Sequence, residues 1–148
     1  PVRQTAERAG VTRDRRRPGL PAHRRGPDPL ELTLADLQAF RQHTVDLPIT
    51  CVEGWSAGGT WTGVRLADLL AEAGLPRDTE VVVESLQPGG LYRTSVVAPP
   101  HARSPLTLLA LQLQGEPLDL DHGYPVRLIG PNRPGVMQTK WVTAVRPA

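Results

Sequence analysis

A single cysteine, Cys51, and a single lysine, Lys140, stand in a chain of 148 residues. One cysteine excludes an internal disulfide and any zinc site built from this chain's cysteines alone. Aromatic side chains are scarce at 4%, and none interleaves with the arginines of residues 1–30. That removes the stacking platforms on which single-stranded nucleic acid is held. Nowhere does the chain approach the ~20 consecutive apolar residues of a membrane span. Its first residues also carry no signal-type apolar segment.

Proline and glycine, by contrast, are plentiful at 16 and 14 residues, beside a hydrophobic share of only 39%. Such a composition suits short strands with many turns better than long helices. The length is that of one domain with a real core. The net charge of +2 conceals an asymmetry: residues 1–30 hold eight arginines against three acidic residues, and the remainder nine basic groups against twelve acidic ones. Arg13 to Arg17 can be read as a nucleic-acid arm or as a solvated leader. The second reading is preferred, because a segment this charged and this poor in apolar residues cannot bury enough surface to order itself. Residues 1–29 are therefore expected to be an arginine-rich leader, disordered or atypical, and 30–148 the folded domain. No nucleic-acid partner is expected.

Leu30, Leu32 and Leu34 alternate like a short strand, and Ala35 to Arg41 reads as one or two helical turns with Leu34, Leu37 and Phe40 inward. His43 to Cys51 reads as a strand, and Trp61 to Val64 as a turn. Leu66 to Ala73 is the best helix, with Leu66, Leu69, Leu70 and Ala73 on one face and Gly74 and Pro76 beyond it. Glu80 to Ser85 is a β-branched strand that pairs with Leu91 to Val97 across Gln87 to Gly90. Leu106 to Leu113 reads as a strand because Gln114 to Pro117 looks like a hairpin turn. Val126 to Ile129 and Trp141 to Val145 are two more strands, separated by a Pro/Gly loop.

Cys51 follows the apolar run Val45, Leu47, Ile49 and precedes the pliable stretch Gly54 to Thr60. A thiolate at a strand end beside such a loop can meet a cofactor. A second region runs His122-Gly123-Tyr124-Pro125-Val126-Arg127, through a Pro/Gly loop, to Gln138-Thr139-Lys140-Trp141. Arg127 and Lys140 flanking a loop with available backbone N–H groups would suit an anionic group such as a phosphate. Equally, Arg127 could pair with Asp119 or Asp121, and His122 could cap a turn. Trp55 and Trp61 either line the mouth of the pocket or merely cover the loop.

These two regions together resemble the sulfite-oxidase-type molybdopterin-binding oxidoreductase domain. The first signature is a cysteine at a strand end followed by a Trp-x-Gly-x-x-Leu-x-x-Leu-Leu-like segment, here Cys51 and then Trp61 to Leu70. The second is Gln114-Gly115-Glu116-Pro117-Leu118 with Asp121 to Arg127, completed by Pro131 to Gly135 and Lys140-Trp141-Val142. Several separate motifs in one order, spanning roughly Leu30 to Arg146, make the likeness specific.

The resemblance implies an α+β, predominantly β fold with mixed sheets and few short helices. It implies a Mo-molybdopterin cofactor, with Cys51 as catalytic residue and metal ligand, a soft donor suited to a metal already held by the pterin dithiolene. His122, Arg127, Gln138, Thr139 and Lys140 would bind the cofactor. Oxygen-atom or two-electron chemistry on a small oxo-acceptor or oxo-donor would follow, with a haem or quinone-linked redox partner. The resemblance places such a domain on the cell-envelope side, with a membrane involved only through a partner or another segment. The arginine-rich segment stands where the family has its first strand, so the domain is expected to be truncated or incomplete there. The alternative is a non-catalytic β-rich binding module that keeps the fold without a complete cofactor site.

Overall fold

A computed structural model describes residues 12–13, 30–50, 56–57, 59–131, 133 and 137–148. Short strands dominate. β1 (Thr12–Arg13) pairs antiparallel with β2 (Leu30–Glu31), so part of the expected leader has strand backbone. Thr33 then starts helix α1 (Leu34–Ala39) with a capping box: Asp36 N–H donates to Thr33 Oγ1 at 3.1 Å, and Thr33 N–H donates to the Asp36 carboxylate at 2.8 Å.

A five-stranded sheet organises the body. Its order is β10 (Glu116–Pro117), β9 (Leu108–Leu113), β6 (Thr60–Arg65), β3 (Gln42–Asp46), with β11 (Arg127–Ile129) also paired to β9. The sequence reading of Trp61 to Val64 as a turn is corrected: these residues lie in β6, whose neighbours are β3 and β9. Gly63 is what misleads. It marks close packing of strands rather than a turn, since a Cβ there would press on the Leu109 carbonyl oxygen and lie 2.7 Å from Ala110 Cα.

The expected strand from His43 to Cys51 is also divided. β3 ends at Asp46, and β4 (Ile49–Thr50) pairs separately with β5 (Ser56–Ala57). Pro48, lacking a donor, stands at the break. The hairpin turn expected at Gln114 to Pro117 is present but shorter: Gln114 and Gly115, at φ 55° and 80°, close it, and Glu116 and Pro117 already pair with β9 as β10.

A second sheet of three antiparallel strands runs β12 (Val142–Pro147), β7 (Val81–Ser85), β8 (Thr94–Val97). Helix α2 (Leu66–Glu72) buries Leu66, Leu69 and Leu70 as its periodicity predicted. A short helix, α3 (Pro99–Ala102), precedes β9. Leu37, Val64, Leu69, Val83, Leu109, Leu128 and Val142 belong to the larger core, which the helices and both sheets share. A smaller cluster gathers Trp61, Leu108, Ala110, Leu118 and Ile129, with Val45 and Leu47 packed against it. It lies where β3, β6, β9 and β11 meet, beside the residues that the sequence singled out.

Candidate functional site

Arg127 opens β11 with its side chain buried, 3% exposed. A buried guanidinium needs its N–H groups satisfied. Nε donates to the Gln138 carbonyl at 3.1 Å and Nη1 to the His122 carbonyl at 3.4 Å. One side chain thus joins the two motifs that flank the Pro/Gly loop. Its guanidinium carbon also sits over the Trp61 ring, 5.6 Å from the centroid.

Backbone pairing brings the rest of the set alongside. Leu128 N–H donates to Thr139 O at 2.8 Å, and Val142 N–H to Val126 O at 3.0 Å, so residues 139–142 run beside 126–128. Trp141 turns at φ 52°, its N–H donating to Gly123 O at 3.2 Å. Gly123 has φ 113°, and a Cβ there would lie 3.1 Å from the Cβ atoms of both Arg127 and Lys140. Only a glycine suits that backbone and that space. Lys140 Nζ lies 5.8 Å from the Trp141 ring centroid. His122, Arg127 and Lys140 therefore gather around Gly123, and Gln138 and Thr139 meet them through their backbone carbonyls, to Arg127 Nε and Leu128 N–H, whereas Cys51 and Trp55 lie outside the described residues.

Gln138 and Thr139 are buried and brace this segment. Gln138 Oε1 accepts from Gly130 N–H at 3.4 Å, and Nε2 donates to Arg133 O at 3.2 Å. Thr139 Oγ1 is 2.7 Å from Ser95 Oγ on β8. Arg133 donates Nε to Met137 O at 3.1 Å and Nη2 to Val96 O at 3.4 Å, which fastens the loop to the edge of the second sheet. Burial lowers the Arg133 pKa from the ordinary guanidinium value, yet arginine keeps its charge in proteins. Sequence reasoning did not single out Ser95 or Arg133, since nothing near either residue marks a contact made across two sheets.

Asp119 is taken by His122. It caps the 3-10 turn Leu120–His122, accepting the His122 N–H at 2.8 Å, and its carboxylate lies 2.8 Å from His122 Nδ1. The His122 backbone N–H, and then the His122 ring, hold the carboxyl below the usual carboxylate range. A depressed folded value means that the ionised carboxylate supports the turn above the ordinary carboxylate range. The support disappears as pH falls through the folded value. Because the group is exposed, the effect is local. The His122 amide shift in NMR is expected to titrate with a midpoint below that of an ordinary aspartate, and to stop titrating there in Asp119→Ala. An unchanged titration in the variant would contradict the assignment.

Trp61 does not line a pocket mouth, as one of the two sequence readings had it. It is fully buried, at 0% exposure.

Comparison with known proteins gives a consistent result. The family described as "Oxidoreductase molybdopterin binding domain" matches residues 20–147. Rat mitochondrial sulfite oxidase is 34% identical over 81% of this chain and 27% of its own length. The protein-methionine-sulfoxide reductase catalytic subunit MsrP of Gluconobacter oxydans is 36% identical over 65% of this chain and 35% of its own. Among solved structures, the sulfane dehydrogenase SoxCD from Paracoccus pantotrophus superposes with a TM-score of 0.73 at 27% identity, covering 81% of this chain and 35% of that one. The chain thus spans about a quarter to a third of the length of these relatives.

Proposed function

We propose that this chain, which belongs to the oxidoreductase molybdopterin-binding domain family, holds a Mo-molybdopterin cofactor, with Cys51 giving its thiolate to the metal. The observation that carries the proposal is the convergence of Arg127, His122 and Lys140 around Gly123. The residues present fit the group. Gly123, having no Cβ, lets Arg127 and Lys140 pack closely against it, and a planar guanidinium and a compact ammonium brought onto one point of the backbone suit an anionic, phosphate-bearing ligand. A thiolate is a soft donor suited to a metal already bound through sulfur.

When bound, the cofactor supplies oxygen-atom or two-electron transfer. The chain's own residues bind and orient it. Arg127 presents a guanidinium whose position is set by the Gln138 and His122 carbonyls. Lys140 adds a second positive charge from the adjoining segment. Gln138 and Thr139 keep that segment in place through Gly130, Arg133 and Ser95. Relatives named for sulfite oxidation and methionine-sulfoxide reduction support a small oxo-donor or oxo-acceptor as substrate. A two-electron step of this kind needs an external electron donor or acceptor, and a haem or quinone-linked partner is proposed for that role.

The test is expression in a host that makes molybdopterin, followed by molybdenum and pterin quantitation and X-ray absorption at the metal. The wild-type chain is expected to carry metal and pterin in equal amounts. Cys51→Ala should show one sulfur fewer around each molybdenum, or lose the metal. An unchanged sulfur shell would remove Cys51 from the ligand set. A wild-type protein without metal or pterin would favour the non-catalytic module.

A further inference from the structure

Trp61 is the bulkiest side chain in the core, and its contacts are not those of filler. A wholly buried indole needs an acceptor for its N–H, and here Nε1 donates to Leu47 O at 3.1 Å. Leu47 N–H in turn donates to Gly59 O at 2.9 Å. The backbone at Gly59 passes so close that a Cβ there would lie 2.8 Å from the indole nitrogen. The ring edge therefore fixes the backbone at Leu47, four residues before Cys51. The ring face meets the Arg127 guanidinium, with 5.6 Å from Cζ to the centroid.

We infer that Trp61 is a positioning residue for the cofactor site. Its face orients the Arg127 guanidinium, and its N–H holds the Leu47 carbonyl, so one side chain ties Arg127 to the backbone that follows β3. This role rests on the cofactor assignment above. A side chain that only filled space would be replaceable by another of similar volume, with the loss confined to stability. A positioning side chain must keep its π face, because a desolvated cation is attracted to the ring's electron density. Phenylalanine keeps a face and lacks the N–H; leucine lacks both.

The experiment measures pterin, released and oxidised to its fluorescent form, per mole of folded full-length chain. Wild type, Trp61→Phe, Trp61→Leu, Arg127→Met and the Trp61→Leu/Arg127→Met double variant are compared from one molybdopterin-competent host. Thermal unfolding sets the folded fraction of each. Trp61→Leu is expected to lower retained pterin roughly tenfold and Trp61→Phe no more than about threefold. The double variant should lose less pterin than the product of the two single losses, because both changes remove the one contact between the Trp61 face and the Arg127 guanidinium. Wild-type retention in Trp61→Leu, or a double variant whose loss is the product of the single losses, would overturn the role while leaving the cofactor assignment intact. A wild-type chain without pterin would overturn both. If Trp61→Leu does not fold, Trp61→Met takes its place in the same cycle, with the same two outcomes.

Discussion

Gly63→Ala is expected to lower the thermal midpoint by roughly 10 °C, corresponding to about 3 kcal/mol. The added methyl points at backbone rather than at a side chain able to swing away. It would press on the Leu109 carbonyl oxygen and sit 2.7 Å from Ala110 Cα. Strand β6 lies between β3 and β9, with a register shift already placed between Thr62 and Gly63. Relief therefore requires β6 and β9 to separate, which weakens the ladder at the middle of the sheet. The same separation moves Trp61, on β6, away from Arg127, on the strand that pairs with β9. Differential scanning of the cofactor-free chain checks the stability change, and a midpoint within about 2 °C of wild type would mean that the strands yield freely.

What could be read from residues alone divides along a physical line. Helix α2 was legible because Leu66, Leu69 and Leu70 recur at helical spacing, and the β9–β10 hairpin because Gln114-Gly115 separates apolar from turn-forming residues. Strand β6 was misread because glycine has two uses: a freely turning backbone and a close approach of two backbones. Only the position of β9 tells them apart. In the site, Arg127 and Lys140 stood out through charge and spacing. The partners of Arg127 did not, since a carbonyl acceptor has no signature in the sequence. The choice of Asp119 for His122 depends on the tight turn at Leu120–His122, and the burial of Trp61 depends on four strands converging on one cluster. Local periodicity and turn chemistry are written along the chain. Contacts between distant segments are written only in their packing.

Arg127→Met should cost about 3 kcal/mol and also lower pterin retention to a small but measurable fraction of wild type. Methionine fills much of the methylene volume, so the loss is polar in origin. The carbonyls of Gln138 and His122 lose their donor at 3.1 and 3.4 Å, the first of them in a buried place that water cannot easily reach. The Trp61 face loses its cation as well. Arg127→Lys separates the two consequences. An ammonium restores charge and can satisfy one carbonyl, but it has no planar fork with which to reach both carbonyls and the ring together. Stability in the lysine variant is therefore expected to recover by about half, while pterin retention stays low. Chemical denaturation of the cofactor-free variants gives the first quantity, and fluorescence of the released, oxidised pterin gives the second. If lysine restored both fully, Arg127 would act as a point charge, and the orientation imposed by Gln138, His122 and Trp61 would have no bearing on the cofactor. If lysine restored stability alone, the fixed guanidinium plane would be what the bound anion recognises.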